Sequence, residues 1–97
     1  MSINELNDLL SNIPRKILVH GNATYTIQDM YTHIPGRIDI NFITDNIVIC
    51  YIAVTTNNTI RTVEYGDDKN KPEYKDCFTA MNNTKTYLEL IGFQIEY

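Results

Sequence analysis

Residues 37–65, with the sequence RIDINFITDNIVICYIAVTTNNTIRTVEY, decide the fold of this chain. Ile38, Ile40 and Phe42 alternate with polar residues at the start of this segment. A period of two is typical of a strand that buries one face and leaves the other in contact with water. The sequence therefore predicts a strand that begins at Arg37.

The rest of this segment predicts two more strands. A tight turn at Asp45 and Asn46 leads into residues 47–54, which are apolar on both faces and are therefore the expected central strand. The polar run 55–59 is the next turn, and 60–65 is the next strand. Together these strands form an antiparallel meander. β-Branched and aromatic residues total 39 of 97, so we expect a sheet to dominate the fold.

The N-terminal residues predict a capped helix. Ser2 and Glu5 have the spacing of a capping box, in which each side chain satisfies a free backbone N–H group. Apolar residues follow at helical spacing: Leu6, Leu9, Leu10 and Ile13. Pro14 disfavours a helical conformation in the residue before it, so we expect the helix to end there.

A short hairpin and a second helix are predicted next. Residues 15–20 contain an apolar run that is typical of a strand. Gly21 and Asn22 favour a two-residue turn, and residues 23–25 are the expected return strand. Residues 26–34 repeat the helical spacing of apolar side chains up to Pro35 and Gly36. A strand is the alternative for this stretch, but it places Met30 and Tyr31 on opposite faces. We therefore predict a short helix.

The C-terminal third predicts a long helix and a last strand. Residues 66–71 are the most polar stretch, and Pro72 suits the first turn of a helix. One apolar face continues to Ile91, with a break or bend expected at 82–84, where the residues form helices poorly. Gly92 suits the end of the helix, and residues 93–97 alternate as a strand.

The predicted order is α-β-β-α-β-β-β-α-β in one domain, residues 1–97. It is an α+β fold with a mostly antiparallel sheet and helices packed on one face. Eight basic and twelve acidic residues give a net charge of −4, which disfavours direct nucleic-acid or membrane-surface binding. The chain carries no secretion signal and no apolar run long enough for a membrane span, so we expect a cytoplasmic protein.

The sequence offers no catalytic centre, metal site or cofactor motif that we can support. Cys50 lies in the most apolar strand and Cys77 on an apolar helix face, where burial makes a thiol inert. His20 and His33 are isolated and are predicted to be ordinary surface residues. The oxygen-rich residues 67–73 lack the spacing of a calcium loop. We therefore expect a protein that is not an enzyme.

Seven tyrosines point to a recognition surface, because tyrosine offers a large amphipathic area at a small entropic cost. Packing within the sheet explains these tyrosines equally well. The predicted partner-binding residues lie around the polar loop and the hairpin: Tyr65, Asp67, Asp68, Lys69, Lys71 and Tyr74, together with Asn22 and Tyr25.

The opening helix from Ser2 to Pro14, with the predicted strand 16–20 and Gly21 after it, resembles the start of some short phage-encoded anti-CRISPR inhibitors. The resemblance covers about 20 residues and carries no functional motif. It implies a small phage or mobile-element protein that occludes a host defence complex. The sequence thus favours a non-enzymatic inhibitor or adaptor that binds a host protein or protein complex in the host cytoplasm.

Two other functions stay open. One is a homodimeric module that binds a small molecule or nucleotide, in which Arg15, Arg37 and Arg61 contact anions. The other is a structural component of a larger phage assembly.

Overall fold

The predicted meander is present in the computed structural model, which describes residues 1–30, 32–65 and 71–96. In chain order the elements are α1 (Ile3–Ser11), α2 (Arg15–Leu18), β1 (Thr24–Asp29), β2 (Arg37–Thr44), β3 (Ile47–Thr55), β4 (Thr59–Glu64), α3 (Pro72–Leu90) and β5 (Gln94–Ile95). Within these residues the sheet has five strands in the order β1-β2-β3-β4-β5. Neighbouring strands are antiparallel except β4 and β5, which are parallel.

The turn between β2 and β3 forms where the sequence predicts it. Asp45 and Asn46 have φ angles of 52° and 62°, the left-handed values that a tight hairpin turn requires and that Asn and Asp tolerate. Beyond the turn, Ile43 pairs with Val48 and Phe42 with Cys50, so β3 carries one extra residue there. Such a bulge increases the local twist of the strand.

Helix α1 confirms the capping box. The Glu5 backbone N–H donates to Ser2 Oγ at 3.1 Å, and the Ser2 N–H donates to Glu5 Oε1 at 3.3 Å. Leu6 and Leu10 on its apolar face are fully buried.

The predicted strand at 15–20 is wrong, because residues 15–18 form the one-turn helix α2. Pro14 precedes this turn with a φ of −56°, which prepares the chain for a helix. Of the predicted hairpin pairing, only an isolated bridge between His20 and Ala23 remains, while Thr24 and Tyr25 of the predicted return strand belong to β1. The turn at 21–22 is present, and the Ala23 N–H donates to the His20 carbonyl at 2.9 Å.

The predicted helix at 26–34 is also wrong, because strand β1 occupies residues 24–29. Tyr25 and Ile27 pack against the core, whereas Thr24, Thr26 and Gln28 are exposed. All of β1 pairs with β2, and this pairing provides hydrogen-bond partners for the backbone groups on the outer edge of β2. The spacing of apolar residues within the segment does not show this stabilisation. The observed order is therefore α-α-β-β-β-β-α-β.

Helix α3 runs through residues 82–84 without the predicted break. Thr84 is fully buried there, and its hydroxyl lies 2.8 Å from the Ala80 carbonyl and 3.3 Å from the Ile17 carbonyl. The hydroxyl thus joins α3 to α2 and has a partner inside the core. Gly92 ends the helix with a φ of 115° as predicted, and the last strand is present but limited to Gln94–Ile95.

One hydrophobic cluster joins the helices to alternate residues of the strands. Its fully buried members include Leu6, Phe42, Ile52 and Leu88. These observations confirm an α+β domain with a mostly antiparallel sheet, while the packing of all helices on a single face stays a prediction. Among the described residues, no helix combines the length and apolar character that crossing a membrane requires.

The turn at Gly21 allows a first stability prediction. Gly21 has a φ of 54°, and a Cβ placed there would overlap the Asp76 carboxylate, which accepts a hydrogen bond from the Asn22 N–H at 2.9 Å. We expect Gly21→Ala to lower the free energy of unfolding by about 1–3 kcal/mol. Urea unfolding of the single variant and of the same change in an Asp76→Ala background measures this. An equal loss in both backgrounds would show that the Asp76 contact is not the cause.

Candidate functional site

The sheet carries a row of polar and aromatic side chains opposite its core residues. Because side chains alternate along a strand, the register places them on one surface, which we call the polar face: Thr26, Gln28, Arg37, Asp39, Asn41, Tyr51, Ala53, Thr55, Arg61 and Val63. Asp39 in β2, Ala53 in β3 and Arg61 in β4 are cross-strand neighbours and form one row across the sheet. Arg61 is exposed, whereas Asp39 is only 5% exposed.

The polar face is organised around an ion pair between Arg37 and Asp39. Arg37 Nε lies 2.7 Å from Asp39 Oδ1, and Arg37 Nη2 lies 2.9 Å from Asp39 Oδ2. This two-point contact combines charge with fixed geometry. The hydrogen bond to Asp39 is the main reason that the pKa of Arg37 is raised above its ordinary value. The pair therefore keeps the Arg37 guanidinium charged and held in one orientation.

Two tyrosines extend this arrangement toward solvent. The Arg37 guanidinium carbon lies 5.6 Å from the centre of the Tyr51 ring, which is within the range of a cation–π contact. The Tyr51 and Tyr65 rings are 5.5 Å apart and tilted by 43°. Tyr65 is 50% exposed, and desolvation followed by the charge of Tyr51 raises its pKa. Asp39, Arg37, Tyr51 and Tyr65 thus form a continuous series of contacts from a buried carboxylate to an exposed ring.

An amide network borders this series on the β1 side. Asn41 Nδ2 lies 3.2 Å from Gln28 Oε1 and 3.4 Å from Thr26 Oγ1. Asn41 is nearly buried although it lies on the polar face. The network therefore provides a partner for an amide that is removed from water, and it ties β1 to β2 through side chains as well as through the backbone.

A cleft of about 260 Å³ opens at one end of the polar face. Its walls come from the loop before β2, the turn between β3 and β4, the chain after β5 and adjoining residues of β2, β3 and β4: Ile34, Pro35, Gly36, Arg37, Ala53, Thr55, Thr56, Asn57, Arg61 and Glu96. The Thr56 N–H donates to the Gly36 carbonyl at 2.9 Å, which joins the first two walls. Two arginines and one carboxylate thus meet around a small space.

The predicted partner-binding residues that the structure describes lie on different sides of the sheet. Tyr65 lies at the polar face, whereas Tyr25 packs against the hydrophobic core on the opposite side of the sheet. The Asn22 side chain is on an exposed turn whose backbone N–H is bonded to Asp76. The structure therefore separates the hairpin residues from Tyr65.

The predicted polar loop is described only in part. Lys71 Nζ lies 5.3 Å from the centre of the Tyr74 ring, and this ring also packs against the core. Asp67, Asp68 and Lys69 lie outside the described residues. Of the arginines in the small-molecule hypothesis, Arg37 and Arg61 line the cleft, while Arg15 lies in α2 and is not part of its lining.

Of the central members of the polar face, the sequence predicts a role only for Arg37, as an anion contact, and none for Asp39 or Tyr51. The alternation along β2 placed Arg37 and Asp39 on one side, which was the available signal. Tyr51 is adjacent to them only because of the β2–β3 register, and Glu96 joins Arg61 only through the parallel pairing of β5 with β4. Both relations depend on contacts between distant parts of the chain.

The two cysteines are free thiols buried in the core. Desolvation raises the pKa of Cys50 to about 12 and that of Cys77 to about 11. The Cys50 thiol points at the Cys77 carbonyl, with sulfur and oxygen 3.6 Å apart. Thiols that stay protonated are weak nucleophiles, so neither is suited to catalysis.

The other ionisable residues that the structure describes offer little for metal chemistry. His20 Nε2 lies 3.9 Å from Asp76 Oδ1 at the surface, a distant and solvated contact. Within the described ranges, no three His, Cys, Asp or Glu residues are grouped so that they could hold a metal ion.

Comparisons of the chain with protein-family models, curated proteins and solved structures found no match.

Proposed function

We propose that this protein is a non-enzymatic inhibitor or adaptor that binds another protein through its polar face. The observation that carries this proposal is the series of contacts from Asp39 through Arg37 and Tyr51 to the half-exposed ring of Tyr65. Tyrosine and arginine are the residue types most often found at the energetic centres of protein interfaces. Their presence together on one sheet surface supports a binding role.

The contacts within this series favour binding because they fix the side chains beforehand. A side chain that is immobilised only on binding costs about 0.5–1.5 kcal/mol of affinity. Arg37 is held by two hydrogen bonds, and Tyr51 lies between Arg37 and Tyr65. Part of this ordering cost is therefore already met in the free protein.

The size of the molecule is also compatible with this role. A typical stable interface covers roughly 800 Å² on each partner, a modest share of the 5869 Å² surface of this chain. The polar face spans four strands and ends in the cleft. In line with the resemblance of the first 20 residues, we propose a phage or mobile-element protein that occludes a host defence complex in the cytoplasm.

Capture of a partner and a variant series test this proposal. Immobilised protein is incubated with bacterial lysate, retained proteins are identified by mass spectrometry, and binding to the purified candidate is measured by calorimetry. We expect Tyr65→Ala to weaken this binding by about tenfold or more, since truncating a central aromatic residue commonly costs about 2 kcal/mol or more. Leu90→Ala is the control, because Leu90 is 81% exposed and lies in α3.

Two outcomes would contradict the proposal. If no specific protein is retained, the binding function is wrong. If Tyr65→Ala and Leu90→Ala bind the partner as tightly as the wild type, the polar face is not the interface. Light scattering of the protein alone distinguishes a second copy of the chain from a different partner.

A further inference from the structure

Two opposite charges line the same cleft without pairing with each other. The Arg61 side chain is exposed and makes no hydrogen bond or ion pair within the described residues. Within the described residues, the only hydrogen bond that the Glu96 side chain accepts is a long one, with Thr59 Oγ1 lying 3.4 Å from Glu96 Oε2. Both charged groups therefore keep most of their capacity to bind a ligand in the space between them.

We propose that this cleft binds a small zwitterion of the α-amino-acid type, with its carboxylate on Arg61 and its ammonium group on Glu96. A guanidinium group presents parallel N–H donors that match a carboxylate, and a carboxylate accepts hydrogen bonds from an ammonium group. An α-amino acid carries both ligand charges on one carbon atom. This proposal is independent of the protein-binding function proposed above.

The lining of the cleft fits such a ligand better than a simple ion. Glu96 would repel an anion such as phosphate, and Arg61 would repel a cation. Arg37 adds little free charge, since two of its nitrogens are committed to Asp39. A ligand with no net charge satisfies both free groups and leaves no charge unbalanced.

The size and the other walls of the cleft agree with a small metabolite. Its volume of about 260 Å³ is just below the roughly 300–1,000 Å³ of sites for drug-sized ligands. Ile34, Pro35 and Ala53 provide apolar surface for a side chain, while Thr56 and Asn57 provide hydrogen-bonding groups at the rim. An amino acid with an aliphatic side chain therefore suits both kinds of wall.

The backbone holds these walls in place. Gly36 has a φ of 78°, and a Cβ there would lie 2.9 Å from Thr56 Oγ1, so the loop approaches the β3–β4 turn closely. On the other side, the Glu96 N–H donates to the Ile60 carbonyl at 2.8 Å. Arg61 follows Ile60 directly, so this bond fixes the backbone positions of the two charged residues relative to each other.

Titration with matched ligands tests the proposal. The wild-type protein, labelled with ¹⁵N, is titrated with L-leucine, N-acetyl-L-leucine and L-leucinamide while its NMR amide signals are followed. We expect L-leucine to produce saturable shifts at cleft residues. Each derivative lacks one ligand charge and is expected to bind at least about tenfold more weakly, as a charged hydrogen bond is removed.

Variants assign each ligand charge to a residue. In Arg61→Gln, L-leucine is expected to bind no better than L-leucinamide, because the carboxylate has lost its partner. In Glu96→Gln, L-leucine is expected to bind no better than N-acetyl-L-leucine. Arg15→Gln and Glu89→Gln are matched controls, since both residues are exposed and lie outside the cleft.

Three results would overturn this inference. The first is the absence of saturable shifts at the cleft with any of the common L-amino acids up to their solubility. The second is wild-type affinity for L-leucine in both cleft variants. The third is equal affinity of the wild type for L-leucine and either derivative, which would indicate a site for a simple ion.

Discussion

Asp39→Ala is expected to lower the free energy of unfolding by about 3–5 kcal/mol, because it leaves the charge of Arg37 buried without its partner. The Arg37 and Asp39 side chains are only 13% and 7% exposed. The guanidinium group would lose both of its hydrogen bonds to the carboxylate. Urea unfolding followed by circular dichroism measures the change.

A double variant separates the cost of an unpaired charge from the value of the pair itself. Replacing a whole buried ion pair with apolar residues is often neutral or stabilising. We therefore expect Arg37→Met combined with Asp39→Leu to be more stable than Asp39→Ala alone. If Asp39→Ala costs less than about 1 kcal/mol, the value typical of exposed pairs, the guanidinium group must reach water in the variant.

The same double variant also affects the proposed interface. It removes the cation that contacts Tyr51 while leaving Tyr65 in place. If the protein-binding proposal is correct, this variant should fold well and yet bind its partner less tightly. Relative to Asp39→Ala, the double variant is therefore expected to be more stable, whereas relative to the wild type it is expected to bind the partner less tightly.

The sequence predicted those parts of the fold in which local pattern and tertiary contacts agree. Strand β2 has alternating apolar residues, and both α1 and α3 have helical spacing together with a capping box or Pro72 at the start. Their boundaries follow the turn signals closely. Each of these elements can be recognised without knowledge of its neighbours.

The errors lie where one local pattern is compatible with two structures. Residues 24–29 contain Tyr25 and Ile27 at strand spacing, and they also begin the helical series that continues to Ile34. Pairing with β2 decides between the two, and this pairing is a property of the sheet rather than of the segment. For α2, a single helical turn is too short to produce a periodic pattern.

The candidate site was harder to predict than the fold, because it also depends on pairing between distant segments of the chain. The sequence predicts Tyr65 as a binding residue because it borders a polar segment, but it predicts its neighbour Tyr51 only as part of an apolar strand. Likewise, the sequence suggests Arg61 as an anion contact, whereas no local pattern marks Glu96. Strand register and the parallel pairing of β5 bring these residues together.

Alkaline pH is expected to destabilise the protein through Cys50 and Cys77. Their pKa values of about 12 and about 11 lie above the ordinary value of 9.0. The unfolded chain therefore releases these protons at a lower pH than the folded chain does. Below about pH 9 these thiols do not affect the free energy of unfolding. Above about pH 9 each thiol lowers this free energy by about 1.4 kcal/mol per pH unit, until the pH reaches the pKa of that thiol in the folded protein.

Cysteine variants separate this effect from the titration of tyrosine and lysine in the same range. Cys50→Ala should be less stable than the wild type at pH 7, because it leaves a cavity in the core. Between pH 9 and 10.5 this difference should shrink by about 1.4 kcal/mol per pH unit, since the variant has one proton fewer to lose. Urea unfolding at a series of pH values measures both slopes.

Parallel slopes for the wild type and Cys50→Ala would contradict this account and would mean that the Cys50 thiol ionises inside the folded protein. Reaction with a thiol reagent at pH 8 provides a second measurement. Both thiols are fully buried, so labelling should proceed only as fast as the protein opens. Urea below the unfolding midpoint should therefore accelerate labelling, whereas a thiol that ionises in the folded state would react rapidly without it.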